Sequence, residues 1–143
     1  MSKIPLILIP GLLCDDALWA PQTKWLSDIA DIAVGETQID DCFSAMAERI
    51  LETAPRHFAL AGLSMGGYVC MEIMRQAPER IERLALFDTS GRADTADQTK
   101  RRKALIELAT IGKFKGVTPR LLPLLIHKDR QSDKELTNAI IGM

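Results

Sequence analysis

Short apolar runs alternate with longer stretches of helical spacing over residues 1–90 of the chain. Ile4–Ile9 and Phe58–Ala61 are almost wholly apolar, which is the pattern of strands buried on both faces of a parallel sheet. Weaker runs predict two further strands, one within residues 31–37 and one over Ile81–Phe87. The apolar pattern therefore predicts a sheet of about four strands.

Apolar residues three and four positions apart predict a helix in each gap between these strands. The predicted helices span Pro21–Ala30, Ser44–Thr53 and Met65–Ala77. In the first helix we place Trp25, Leu26 and Ile29 on one apolar side, and we expect Pro78 to close the third. Strands that alternate with helices are typical of an α/β fold with right-handed crossovers. We predict a three-layer α/β fold with a mostly parallel sheet.

After Asp88 the pattern contains helices only. An amphipathic helix is predicted over Arg101–Ile111. A second helix is predicted to be capped by Thr118, with Pro119 in its first turn and a kink or end at Pro123. The capping-box pattern Ser132–Glu135 predicts the start of a third. We therefore divide the chain into a core part, residues 1–90, and a helical part, residues 91–143. The sheet is expected to be unfinished, with an open edge on its fourth strand through which copies could self-associate.

Composition narrows the class of protein. The chain has 143 residues, 47% of them hydrophobic and 26% charged, which fits one folded domain. Eighteen basic and nineteen acidic residues leave a net charge of −1, so neither nucleic acid nor an anionic membrane is an expected partner. We interpret the basic cluster Lys100–Lys103 as a solvated helix face.

No N-terminal run is long enough for a signal peptide or a membrane span. Three widely spaced cysteines, Cys14, Cys42 and Cys70, suggest free thiols in a reducing cytoplasm. The two histidines, His57 and His127, stand alone, so we predict no metal and no cofactor.

The candidate chemistry lies at Gly62-Leu63-Ser64-Met65-Gly66, between a predicted strand and a predicted helix. A serine at such a strand-to-helix corner is positioned as a nucleophile, and we expect a Cβ at Gly62 or Gly66 to clash there. The helix start directs the N–H of Met65 toward an oxyanion on the substrate. We predict the N–H of Leu12, in the loop after the first strand, as the second donor.

Four segments together resemble a known family: Ile7–Gly11, Trp19, Leu60–Gly67 and Leu84–Ser90. They look like the N-terminal two-thirds of a small α/β-hydrolase, similar to the carboxylesterase-like members that include pimeloyl-carrier-protein methyl ester esterases. The resemblance implies hydrolysis of a small-molecule ester through an acyl-Ser64 intermediate, with residues 91–143 as the start of a helical cap. The first-strand turn reads Pro10-Gly11 here, where the family usually has His-Gly.

The resemblance also implies that the catalytic acid and histidine of the family follow the cap, so this chain is expected to be a truncated hydrolase without its base. Asp88, where a minority of the family places its acid, and His127 are weaker candidates, and His57 is expected at the opposite end of the sheet. Cys70 is interpreted as a buried apolar residue. The alternative is a non-catalytic binding module on a degenerate hydrolase scaffold, and a lyase or cofactor-free peroxidase on the same corner also stays open.

Overall fold

The computed structural model describes residues 3–113 and 115–143 of the chain. Four strands form one sheet: β1 (Ile4–Ile9), β2 (Ala30–Val34), β3 (Phe58–Leu63) and β4 (Ile81–Phe87). The helices are α1 (Ala20–Leu26), α2 (Phe43–Thr53), α3 (Met65–Gln76), α4 (Ala96–Thr110), α5 (Leu122–Leu125) and α6 (Lys134–Gly142). Short 3-10 helices cover Asp16–Trp19, Pro78–Arg80 and Lys128–Arg130.

The sheet has the strand order β2-β1-β3-β4, and every neighbouring pair is parallel. The predicted α/β fold with a parallel four-stranded sheet is confirmed. Because β1 and β3 occupy the centre, the loops at their carboxyl ends lie side by side at one edge of the sheet. This edge is where ligands bind in open parallel sheets.

Side chains of alternate residues in β1 reach opposite faces of the sheet. Ile7 and Ile9 join the larger core cluster, which α2 and α3 cover and which includes the fully buried Phe58 and Ile73. Leu8 joins a smaller cluster on the other face with Trp19 and Ala61. A parallel sheet buried in this way explains the continuous apolar runs in the sequence.

The first helix differs from its prediction. Helix α1 ends at Leu26, because Ala30 already begins β2. Trp25 and Ile29 are 77% and 62% exposed, so the predicted apolar side of this helix is wrong. The buried aromatic residue of this region is Trp19, which the preceding 3-10 helix contributes. The exposed Trp25 ring instead makes a cation–π contact with Lys24, whose ammonium nitrogen lies 5.5 Å from the ring centroid.

The described chain divides into two compact units with the boundary between Gly91 and Arg92. In the second unit, α4 begins five residues before the predicted Arg101, because Thr95 and Gln98 form a reciprocal capping box that the prediction missed. None of the described residues of α4 is buried. The amphipathic pattern predicted for this helix thus has no buried face within its own unit.

The starts of α5 and α6 also differ from their predictions. Thr118 is not the cap of a helix: its backbone carbonyl accepts the N–H of Leu121 at 2.9 Å in a turn, and α5 starts only at Leu122. Pro123 lies in the first turn of α5 instead of kinking a longer helix, because an N–H is not needed at that position. Helix α6 is capped by Asp133, whose carboxylate accepts the N–H of Leu136 at 3.0 Å, not by Ser132. No helix in the described part of the chain is long and apolar enough to cross a membrane.

Candidate active site

Ser64 alone makes the corner between β3 and α3. Strand β3 runs to Leu63 and α3 begins at Met65, so the chain reverses at a single residue with φ +53° and ψ −112°. A positive φ is unfavourable for a residue with a Cβ, and such strain concentrates at functional sites. Strand β3 is buried from Phe58 to Gly62, whereas Ser64 is exposed. The corner therefore leaves the Ser64 side chain exposed at the end of a buried strand.

The end of β4 holds the backbone of Ser64 on both sides. The N–H of Ser64 donates to the carbonyl of Phe87 at 2.9 Å, which continues the pairing of β3 with β4. The carbonyl of Ser64 accepts the hydroxyl of Thr89 at 2.9 Å and the N–H of Gly67 at 2.9 Å. The contact of Thr89 was not predicted; its signal in the sequence is a hydroxyl residue two positions after β4, the strand that neighbours β3.

The two glycines of the corner have different neighbours. A Cβ on Gly62 would overlap the carbonyl oxygen of Gly66 and lie 2.6 Å from the Cys70 sulfur, so this glycine permits contact between β3 and α3. A Cβ on Gly66 would overlap the carbonyl oxygen of Ile9 and lie 2.6 Å from that of Pro10. Gly66 thus permits α3 to approach the end of β1, a contact that was not predicted.

The loop after β1 passes beside Ser64. A Cβ built on Gly11 would lie 3.7 Å from the Cβ of Ser64. The N–H of Cys14 donates to the carbonyl of Gly11 at 3.2 Å and Leu13 has φ +61°, so the loop is a tight turn. This turn brings Leu12, one predicted oxyanion donor, to the same end of the sheet as Met65, the other.

Leu12 and Met65 line one cavity of about 430 Å³. Its lining includes the apolar side chains of Leu13 and Met46 and the carboxylate of Asp40. Arg49 donates to both oxygens of Asp40, at 2.6 and 3.0 Å, and these hydrogen bonds hold the pKa of the Asp40 carboxyl below its usual range. A mostly apolar cavity with a neutralised charge suits an uncharged organic group.

Burial disfavours the thiolate form of Cys14 and Cys70, the two cysteines of this region. Burial raises the pKa of Cys70 from 9.0 to about 12, in keeping with its prediction as a buried apolar residue. Burial also raises the pKa of Cys14, although a backbone hydrogen bond at Gly11 opposes the shift. Both shifts disfavour the thiolate, which is the nucleophilic form of cysteine.

Three further candidate residues can each be placed within their own unit. His57 precedes β3 and is exposed at the opposite end of the strand, as predicted. His127 belongs to the second unit, where its Nδ1 accepts the N–H of Asp129 at 3.4 Å at the start of a 3-10 helix. Asp88 follows β4 as an exposed residue with φ +45°.

Comparisons with known proteins concern the fold of the chain. No family model matches the sequence. Over 108 residues the chain is 31% identical to the RutD protein of Agrobacterium fabrum strain C58, which carries the name of a carbamate hydrolase, and the match covers 65% of this chain and 41% of that protein.

Solved structures match nearly the whole chain. A thermophilic esterase from Thermogutta terrifontis superposes with a TM-score of 0.84 and 25% identity, over 99% of this chain and 58% of that one. The enol-lactonase from Burkholderia xenovorans LB400 superposes with a TM-score of 0.70 and 19% identity, over 99% and 58% of the two chains.

The chain thus spans less than two thirds of the length of these proteins. The predicted resemblance to α/β-hydrolases is confirmed, while the narrower likeness to pimeloyl-carrier-protein methyl ester esterases stays a prediction. The chain carries a part of the α/β-hydrolase fold, and the three proteins compared above are by name a carbamate hydrolase, an esterase and an enol-lactonase.

Proposed function

We propose that this chain supplies the nucleophile and the oxyanion hole of a serine hydrolase that cleaves small carboxylic esters. One observation carries the proposal: Ser64 stands exposed at a strained strand-to-helix corner, with the turn after β1 directly beside it. A serine in this position reaches a substrate carbonyl that lies over the carboxyl edge of the sheet.

In the proposed reaction the Ser64 hydroxyl attacks the ester carbonyl and loses its proton to a base. The carbonyl oxygen becomes an oxyanion, which accepts hydrogen bonds from the N–H groups of Met65 and Leu12. The alcohol then leaves, and water hydrolyses the acyl-Ser64 intermediate. Met65 is suited to this role because the first N–H groups of a helix have no acceptor within the helix and lie at its positive end.

The base and its orienting acid must come from elsewhere in the functional protein. Within the described residues of the first unit the only histidine is His57, at the far end of the sheet. Removing the base of a serine protease lowers kcat by up to about 10⁶-fold. We therefore expect this chain by itself to hydrolyse esters very slowly.

A fluorophosphonate probe with added imidazole tests the proposal on this chain. Imidazole in solution can take the proton of the exposed Ser64 hydroxyl while the Oγ–P bond forms and fluoride leaves. We expect imidazole to accelerate the labelling, intact mass to show one adduct, and peptide mapping to place it on Ser64. The matched control is Ser64→Ala, which should lose the adduct. Equal labelling of the two proteins would contradict the proposal.

A non-catalytic binding module is the second candidate. The cavity beside Leu12 and Met65 together with the distance of His57 from Ser64 favours it, because a pocket without a base can bind and not turn over. If the chain is a binding module, a ligand should bind equally well to the chain and to its Ser64→Ala variant. The fluorophosphonate probe should then form no imidazole-dependent adduct on either protein.

A further inference from the structure

We propose that Thr89 is a positioning residue for the oxyanion hole, acting through the carbonyl of Ser64 on the N–H of Met65. The inference rests on the proposed function. It starts from the hydrogen bond between the Thr89 hydroxyl and the Ser64 carbonyl, 2.9 Å long and formed between residues 25 positions apart.

The geometry of the peptide bond transmits the effect. The carbonyl of Ser64 and the N–H of Met65 belong to one planar trans peptide, so they point in opposite directions. A carbonyl oxygen has two acceptor sites, and here the Thr89 hydroxyl and the Gly67 N–H provide two donors, each at 2.9 Å. With its oxygen held from two sides, the peptide cannot rotate, and the N–H of Met65 keeps its direction toward the substrate side.

Two features of the chain place Thr89 over the corner. Asp88 adopts φ +45°, a left-handed conformation that Asp tolerates better than most residues, and this turn follows the end of β4. Gly67 leaves the space for Thr89, since a Cβ there would lie 2.5 Å from both the hydroxyl oxygen and the methyl carbon of Thr89. The third glycine of Gly62-Leu63-Ser64-Met65-Gly66-Gly67 thus has a specific neighbour.

The same segment also holds the other side of Ser64, because the Phe87 carbonyl accepts the Ser64 N–H at 2.9 Å. Phe87 fixes where the strained residue lies, and this contact is a backbone pairing that any residue could make. The Thr89 contact depends on a side-chain hydroxyl. Thr89 is therefore the part of this segment that a substitution can test.

The test compares Thr89→Val, which keeps the shape and removes the hydroxyl, with Thr89→Ser, which keeps the hydroxyl. Thr53→Val is the matched control, because Thr53 also donates its hydroxyl to a carbonyl, that of Ile50, at the end of α2. The rate of imidazole-dependent phosphonylation of Ser64 is measured in each variant. Since the phosphoryl oxygen occupies the oxyanion hole, we expect Thr89→Val to slow labelling by about 10-fold or more, short of the 10²–10³-fold cost of losing a donor. Thr89→Ser and Thr53→Val should label at nearly the unsubstituted rate.

A second measurement separates the failure of this inference from the failure of the proposed function. The carbonyl ¹³C shift of Ser64 and the amide ¹⁵N shift of Met65 report on the hydrogen bond in the intact chain, whether or not it reacts. We expect both to change in Thr89→Val and to stay close to their original values in Thr89→Ser.

Labelling of Thr89→Val at the unsubstituted rate, while Ser64→Ala is not labelled, would overturn the positioning role. If the unsubstituted chain labels no faster than Ser64→Ala, the proposed function fails, and the two chemical shifts decide on Thr89 alone. Unchanged shifts in Thr89→Val would then overturn the inference as well.

Discussion

At the scale of single residues, the unfavourable backbone conformation of Ser64 lowers the stability of the folded chain. A non-glycine residue at positive φ costs on the order of 1–3 kcal/mol and persists only where its surroundings over-determine it. Three hydrogen bonds to the backbone of Ser64, from Gly67, from Thr89 and to Phe87, provide that constraint. These contacts hold the backbone of Ser64 and leave its side chain exposed.

Cys70 gives a prediction at the same scale. Its thiol lies where a Cβ on Gly62 would be 2.6 Å away, and burial raises its pKa from 9.0 to about 12. Such a shift lowers the thiolate fraction roughly 10³-fold at mildly alkaline pH, where the thiolate is the form that reacts. We expect iodoacetamide to alkylate the exposed Cys42 in the folded chain and to leave Cys70 unmodified until denaturant is added. Mass spectrometry of the peptides measures both, and equal rates for the two cysteines in the folded chain would contradict this account of the site.

At the scale of elements, the sequence predicted those strands and helices whose burial leaves a periodic trace. Strands β1 and β4 have their predicted bounds, and α2 buries Met46, Ala47 and Ile50 as its pattern indicated. Local signals were insufficient where a tertiary contact decides. The burial of Trp19 and the hydrogen bond from Thr89 join residues far apart in the chain, and neither hydrophobic period nor turn chemistry contains that information.

In the candidate site, too, contacts between residues adjacent in sequence could be predicted and contacts between distant residues could not. The corner at Ser64 could be predicted because strand, glycines and helix are adjacent in sequence. The proximity of the Gly11 turn to Ser64 followed from the general rule that parallel strands end at one edge of a sheet. The support from β4 could not be predicted, because it depends on the register in which Leu63 pairs with Phe87.

The contact between α3 and β1 gives a prediction for the element scale. Gly66→Ala would bring a Cβ against the backbone carbonyls of Ile9 and Pro10, which cannot move without shifting the strand. We expect a loss in the free energy of unfolding of about 1–3 kcal/mol, the usual cost of overpacking. Gly35→Ala is the matched control, because its Cβ would meet the side-chain ends of Ile9 and Ile50, which shift at lower cost than backbone carbonyls. Urea denaturation measures both variants, and a Gly35→Ala loss equal to or above that of Gly66→Ala would contradict this assignment.

At the scale of the whole molecule, β4 is an edge strand of the described sheet. Leu84, Leu86 and Phe87 are 41%, 43% and 48% exposed, which is unusual for residues of a parallel strand. An exposed apolar edge is a template for pairing with another chain.

The chain spans 58% of the length of the Thermogutta terrifontis esterase. The substrate, the partners and the cytoplasmic location of the functional protein therefore stay predictions.

We expect this edge to make the isolated chain self-associate. Leu86→Lys should reduce association, because a charge on an edge strand opposes pairing. Ile106→Lys is the control, since Ile106 is a 65% exposed residue of α4 and not part of the sheet. Sedimentation velocity across a dilution series measures the association. A chain that is monomeric throughout, or equal effects of the two substitutions, would speak against the open edge as the cause.

We propose that Ser64 holds a nucleophile position that becomes active once a base and an acid are supplied. The most direct measurement joins this chain to the remaining C-terminal part of the Thermogutta terrifontis esterase, with which it superposes at a TM-score of 0.84. Hydrolysis of a p-nitrophenyl ester by this chimera is then compared with that of its Ser64→Ala variant, after thermal unfolding has shown that both are folded. We predict hydrolysis that depends on Ser64 by several orders of magnitude, in line with the roughly 10⁶-fold loss on removing a catalytic serine. A folded chimera that hydrolyses the ester no faster than its Ser64→Ala variant would contradict the account.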